Sequence, residues 1–437
     1  MRIGIIIGRI GGVDGVALET EKWIDVLRRM GHEIFIIAGQ YENWDFDPVH
    51  NTLVVEMSFF SPESYWGQKK AFFHPDANVD ELLEHINLYS NIIADKIIDW
   101  VHEKKLDVVI SENASALPAH LEMGRGIAIA VEKLGIPTIT HDHDFAWERG
   151  DRYVSPHEEI NRIVEETFPL RLPNSFHAVI NSHAQKTLKE KFGRDSIVVP
   201  NVMDFNMKFG IPDEHNKNLP RDLGIEPGSK MLFQVTRIVR RKGIEVAIEL
   251  IHRINDKKVK LVITGDYKDD EGSKYYNELI NLIHKLKVSD RVFFASHLIH
   301  SKGFTGSSDG KYSLSDAYAN ATACTYFSTY EGFGNAFVEA VLAKRPIFVN
   351  NYKPVFWPDI GSKGFKVVML EDNQLTDEKV EQMKEIIYNE KLNREIGEFN
   401  FKLGKKYFSY EVLEEKLTQL LDIVTHLPGV KAPYSPK

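Results

Sequence analysis

The chain has 437 residues, more than one hydrophobic core ordinarily supports, so two domains are expected. A formal charge of -9 argues against nucleic acid as the main partner and against a general pull toward anionic lipid, while 43% apolar residues suffice for two cores. The single cysteine, Cys324, excludes a disulfide framework or thiolate metal cluster, and no uncharged apolar run approaches the ~18 residues of a membrane span, so a soluble cytoplasmic protein is expected.

In chain order, residues 2–8 form an Ile-rich run ended by Gly11, Gly12 and Gly15. Val16, Trp23, Ile24, Leu27 and Met30 follow at helical spacing, and 33–38 is apolar again. Strand, glycine turn, helix and strand predict a parallel α/β sheet. Short β-branched runs at 107–111, 137–140, 178–181 and 197–199 continue it, with a helix over 126–134. Strands apolar throughout are those buried on both faces. From about 205 to 227 the chain turns polar, with Pro212, His215, Asn216, Lys217, Asn218 and Pro220, and reads as a linker. Runs at 231–236, 259–264, 292–295, 323–327 and 346–350 predict a second sheet. The Gly- and Ser-rich stretch 300–313 reads as a surface loop or lid. Leu413, Leu417, Leu420, Leu421 and Val424 mark a last amphipathic helix over 410–426 that returns toward the first half. The expected architecture is α/β, two Rossmann-like parallel-sheet domains facing across a cleft: 1–204, a linker at 205–227, 228–408, and a closing helix in 409–437.

The densest chemistry lies in Glu331-Gly-Phe-Gly-Asn-Ala-Phe-Val-Glu339, two carboxylates eight residues apart around a glycine turn. At ~1.5 Å rise per residue they stand roughly 12 Å apart, the span from the ribose to the sugar ring of a nucleotide sugar. The turn between them, Gly332, Phe333, Gly334, Asn335 and Ala336, would offer helix-opening amides to a diphosphate, and Phe337 next to it is a further donor-binding candidate. Two solvated helix carboxylates are the plainer alternative. In the same half, Thr236-Arg237-Ile-Val-Arg240-Arg241-Lys242-Gly243 follows a strand, at the carboxyl edge where open sheets bind ligands. Arg237 and Lys242 suit the phosphates of a leaving nucleotide, and cations that oppose a helix dipole need an anion nearby.

In the first half, the turn containing Gly11, Gly12 and Gly15 offers amides to a phosphate or is plain chain reversal. It is neither G-x-G-x-x-G nor a Walker A loop, and the second strand ends Ile-Ala-Gly-Gln with no acidic residue for a ribose, which excludes a dehydrogenase. The segment His141-Asp142-His143-Asp144 invites a metal reading, but no further His or Cys group presents itself as the rest of a coordination sphere, so no metal site is expected. A polar lip over a sugar is preferred, with Trp147 stacking on the sugar or simply packing. Trp66, Lys69, Lys70, Trp147, Arg149 and Arg152 are acceptor candidates whose cations would suit an anionic acceptor, or are surface charges.

Together these residues resemble the family 4 retaining glycosyltransferases of GT-B fold. Glu331 and Glu339, preceded by Ser328, are similar to that family's E-x7-E signature, and Arg237 with Lys242 to its R-x4-K pair. Gly11-Gly12, the entry Gly31-His32-Glu33 and a His after Pro137 match its first domain. The chain departs from the pattern at Phe327, Asn335, Ala336, Lys344 and Asn350-Asn351-Tyr352. The resemblance implies hexose transfer, glucose or mannose, from a UDP- or GDP-linked sugar with retention of configuration and no required cofactor. On it, Glu331 contacts the donor sugar, Glu339 the ribose hydroxyls, Arg237 and Lys242 the diphosphate, and His143, with His141 competing, lies over the donor sugar. The N-terminal domain would bind acceptor and the C-terminal domain the nucleotide sugar. The expected acceptor is small, polar and soluble, such as a sugar phosphate or a glycerate-type compatible-solute precursor, and a homo-oligomer stays open. The rival readings are transfer to a lipid or polysaccharide through Lys69-Lys70-Ala-Phe72-Phe73, a nucleotide-sugar epimerase, and a non-catalytic sugar-nucleotide binder.

Overall fold

The computed structural model describes every residue except 13, 76–77, 268–271, 301–311, 429 and 432–437. The chain forms two compact units, one of Met1–Asn201 with Tyr410–Lys437, the other of Val202–Ser409. The first holds strands β1 (Arg2–Ile7), β2 (Glu33–Ala38), β3 (Asn51–Leu53), β4 (Val108–Glu112), β5 (Thr138–Asp142), β6 (Ser175–Val179) and β7 (Ser196–Val198) in one sheet of order β3-β2-β1-β4-β5-β6-β7. All of its pairings are parallel. The second holds β8 (Lys230–Gln234), β9 (Val259–Ile263), β10 (Val292–Phe294), β11 (Ala323–Tyr326), β12 (Ile347–Asn350) and β13 (Val368–Leu370), in the order β10-β9-β8-β11-β12-β13, again parallel. Ile3, Ile5 and Ile6 in β1, and Leu261, Val262 and Ile263 in β9, are fully buried, as helices on both faces of a parallel sheet require.

Each strand order reverses once, between β1 and β4 in the first unit and between β8 and β11 in the second. Loops leaving neighbouring strands diverge at such a point, and ligands bind in the crevice outside the carboxyl ends there.

Several elements differ from the sequence expectation. Strand β6 lies at Ser175–Val179, earlier than 178–181, because Asn181 caps the next helix, accepting from the Ala184 amide at 2.8 Å. Strand β5 runs through His141 and Asp142, so both are sheet residues and not part of a loop lip. Residues 205–227 belong with the second unit: Phe205, Phe209, Leu219 and Ile225 are buried, and a short helix spans Leu219–Asp222. The last helix, Tyr410–Thr425, packs on the helix Gly15–Arg29 in the first unit, with Leu413, Leu417, Leu420 and Val424 buried and the Arg29 guanidinium 4.8 Å from the centre of the Tyr410 ring. Most of the proposed lid at 300–313 lies outside the described residues.

Candidate functional site

In the second unit, the loops leaving β8 and β11 meet at the switch point. Arg240–Lys242 makes a single helical turn after β8, held by Gln234 Nε2 donating to the Lys242 carbonyl at 3.0 Å. Glu331 follows β11 and is only 8% exposed. Its Oε1 accepts from Lys242 Nζ, and its Oε2 accepts from Arg241 Nη1 at 2.8 Å, while the same Arg241 nitrogen donates to the Tyr330 carbonyl at 2.9 Å. Burial alone would push the Glu331 carboxyl up, but the Lys242 and Arg241 cations prevail and hold it at about 2. Burial lowers the Lys242 pKa, with Glu331 opposing that shift. The result is an ionised carboxylate clasped by two successive cations. Arg237, expected to act with Lys242, is exposed; the cations that meet Glu331 are Arg241 and Lys242.

The two glutamates are not joined by continuous helix. Only Asn335–Leu342 is helical, with Gly334 at its start and no side-chain cap, so helical rise does not fix the spacing from Glu331 to Glu339. Gly334 has a φ of +121°, and a Cβ there would lie 2.3 Å from the Tyr352 hydroxyl oxygen. Only glycine fits. Tyr352 Oη donates to the Phe333 carbonyl at 2.7 Å, and Asn350 Nδ2 to the Ser328 carbonyl at 2.9 Å. The segment Asn350-Asn351-Tyr352, where the chain departs from the resembled pattern, therefore braces the Glu331 turn from below. The Phe337 amide already bonds the Gly334 carbonyl at 3.0 Å, and the Phe337 side chain is fully buried, so that residue belongs to the support of the turn. Glu339 is half-buried and accepts from the hydroxyl of buried Tyr318 at 2.9 Å.

In the first unit, the Gly11 backbone has a φ of +76°, and a Cβ there would come within 1.7 Å of the Glu42 carbonyl oxygen. Asp14 caps the following helix, accepting from the Ala17 amide at 3.0 Å, and pairs with Arg9 at 2.7 Å. A phosphate bound by Gly11 and Gly12 would face that carboxylate. The geometry corresponds to chain reversal.

The His141–Arg152 segment divides sharply. Asp142 is fully buried, accepting from Thr140 Oγ1 at 2.9 Å and His177 Nδ1 at 2.8 Å, so its carboxylate faces the interior and not a ligand. His141 is also fully buried, its ring stacked on Trp23 at 3.9 Å and its Nδ1 donating to Glu112 Oε2 at 2.8 Å. Burial lowers the His141 pKa, while the Glu112 carboxylate works against that. His143 stands one residue past β5, half-buried, with its amide donating to Asn113 Oδ1 at 3.0 Å. Trp147 is a packing residue, stacked on Phe145 with ring centres 4.4 Å apart and with Lys191 Nζ 4.8 Å from its ring centre. Arg149 pairs with Asp144, and exposed Arg152 lies over the rings of Phe73 and Tyr153 at 5.5 and 5.8 Å. Lys69 opens a wide helical turn, Lys69–Phe73.

Sequence reasoning missed Arg241, Tyr318, Tyr352 and Glu112. The basic run around Arg241 and the acidic end of apolar β4 were the available signals.

The glycosyl transferases group 1 family matches residues 215–402. The mannosylglucosylglycerate synthase of Thermotoga maritima is 31% identical over 96% of this chain and 99% of that protein. The protein of the same name from Petrotoga mobilis is 34% identical over 85% of this chain and 86% of its own. Sucrose-phosphate synthase from Thermosynechococcus elongatus superposes with a TM-score of 0.64 at 14% identity, over 97% of this chain and 99% of that one. Anabaena HepE, solved with UDP and glucose, gives 0.62 at 16% identity, over 97% and 100%. Among the described residues no helix is long and apolar enough to cross a membrane. The chain belongs to the glycosyl transferases group 1 family and has the GT-B fold of its glycosyltransferases.

Proposed function

We propose that this chain is a retaining cytoplasmic hexosyltransferase that moves mannose from a UDP- or GDP-linked donor to glucosylglycerate, a small anionic acceptor. The observation that carries the transferase reading is the buried Glu331 carboxylate clasped by Arg241 and Lys242 at the switch point of the second sheet. An ionised acid beside an uncapped helix start suits a reacting centre that gains positive charge while the attached diphosphate gains negative charge. The acceptor assignment follows the names of the two relatives, one matched over nearly its whole length.

On this reading Glu331 stabilises the sugar as the bond from its anomeric carbon to the phosphate oxygen breaks. The acceptor hydroxyl oxygen bonds the same carbon from the leaving-group side, and its proton passes to a donor phosphate oxygen. Lys242 shifts part of its hydrogen bonding from Glu331 to the diphosphate, joined there by Arg237. Glu339, oriented by Tyr318, takes the ribose hydroxyls. His143 contacts the donor sugar, and Arg149, Arg152 and Lys69 are the cations assigned to the acceptor carboxylate.

A thermal-shift panel with UDP, GDP and ADP tests the donor site. A nucleotide at ~100 times its Kd adds roughly 2.7 kcal/mol, so the matching base raises the midpoint strongly. Turnover of the matching mannose donor with and without glucosylglycerate then tests transfer, and the anomeric proton coupling of the product tests retention. No shift with any nucleotide, or donor consumption indifferent to the acceptor, would overturn the reading.

A further inference from the structure

The parallel register of the first sheet sets Glu112, the last residue of β4, directly beside His141 in β5. Residues two apart on a strand share a face, so His143 emerges on the side of His141 while Asp142 turns away to Thr140 and His177. Glu112 Oε2 lies 2.8 Å from His141 Nδ1 and 3.8 Å from His143 Nε2, and the two imidazole centres are 4.2 Å apart. One ligand atom from each of the three side chains lies within 4.8 Å of the others, the single group of this kind among the described residues.

The cluster is dry and polar at once. The side chains of Glu112 and His141 are 0% and 1% exposed and that of His143 is 9% exposed, yet Glu112 Oε1, His141 Nε2 and His143 Nε2 have no hydrogen-bond partner. A buried polar atom left without a partner is destabilising. Of the three, His143 Nε2 is the atom that faces Glu112 Oε2, at 3.8 Å, and it is left without a partner.

We propose that Glu112, His141 and His143 bind a divalent first-row transition cation of the zinc and cobalt class. Two imidazoles and one carboxylate suit these ions, whereas magnesium and calcium favour oxygen-only sets. Ligands at ~2.1 Å from one ion are at most ~4.2 Å apart, so the 3.8 Å between Glu112 Oε2 and His143 Nε2 fits, and the ion would replace the proton of the 2.8 Å hydrogen bond from His141 Nδ1 to Glu112 Oε2. The widest separation, at most 4.8 Å, closes by a small rotation of His143, the least buried of the three. Stacking on Trp23 holds the His141 ring, and Asn113, with a φ of +55°, fixes the backbone entering His143. Three protein ligands leave coordination positions for water or a substrate oxygen. The site shares His143 with the donor-sugar contact proposed above, but its test reads ion binding alone, so its failure and the failure of the transfer reading are distinguishable.

The full chain, stripped with a chelator, is titrated with Co²⁺ while visible d–d absorption is followed, and with Zn²⁺ by calorimetry. Saturation at one equivalent per chain is expected, with affinity falling at least tenfold in Glu112→Gln and in His143→Gln. Far-UV circular dichroism checks that each variant is folded; if Glu112→Gln fails, the more exposed His143→Gln decides. Absence of a visible band and of calorimetric heat in the wild type, or undiminished affinity in folded His143→Gln, overturns the proposal.

Discussion

Replacing Lys242 with Met keeps the length of the side chain and removes its charge. In the wild type, Glu331 sits at about 2 against an ordinary 4.5. At ~1.36 kcal/mol per pH unit, that is roughly 3 kcal/mol of favourable interaction at neutral pH, with little screening for a side chain so buried. Without the ammonium, the carboxylate keeps a single cation, Arg241, whose side chain is 37% exposed. We expect Lys242→Met to lose ~3 kcal/mol at pH 7, the cost of leaving a buried charge short of its partner. Adding Glu331→Gln removes the charge in need of compensation, so the double variant should regain about 2 kcal/mol of that loss. The pH dependence supplies a second sign. In the wild type the lowered carboxyl contributes fully above 4.5, and the contribution disappears as pH falls toward 2. In Lys242→Met burial dominates, the carboxyl titrates above 4.5, and acidification from pH 7 stabilises the variant. The gap between the two proteins therefore narrows between pH 7 and 4.5. Equilibrium urea unfolding of the full chain at both pH values measures it, taking the transition that the substitution moves. A double variant as unstable as Lys242→Met, or a gap constant with pH, would refute the clasp.

Gly334→Ala forces a Cβ to 2.3 Å from the Tyr352 hydroxyl in a backbone conformation with a φ of +121°. It should cost ~2 kcal/mol in urea unfolding and weaken nucleotide binding more than tenfold by calorimetry, since the turn carrying Glu331 must shift; unchanged nucleotide affinity would count against that turn as donor site. Glu148 is raised to about 7, mainly by burial with Asp144 adding, against the Phe145 amide that donates to it at 2.8 Å. Its acid form is favoured in the folded chain, so its contribution is present below 4.5 and lost as pH rises through 7, about 1–2 kcal/mol after allowance for partial exposure. Melting temperatures from pH 4.5 to 8 should fall less steeply for Glu148→Gln, and parallel curves would exclude the assignment.

What could be read in advance depended on how local the signal was. Strands such as β1 and β9 announce themselves, because burial on both faces demands an unbroken apolar run. The edge strands β3 and β13 did not, each being three residues long and recognisable only by its pairing with β2 or β12. Lys242 and Glu331 were visible as a spacing motif, but Arg241 was not, because which member of the run Arg240-Arg241-Lys242 meets the carboxylate depends on the turn after β8. Glu112 depended on the register between β4 and β5, set by strands 29 residues apart at that pair. Asp142 shows the reverse error: a carboxylate among histidines looked ligand-facing, whereas strand alternation turns it inward.

The last helix has a consequence for how the molecule is made. The chain passes from the first unit to the second at 201–202 and back at 409–410. A ribosome therefore delivers every residue of the second unit before it delivers Leu413, Leu417 and Leu420, buried residues of the helix that packs on Gly15–Arg29. Domains generally fold as they emerge. The half synthesised first is thus completed only after the whole of the second unit has been made, when the helix Tyr410–Thr425 emerges.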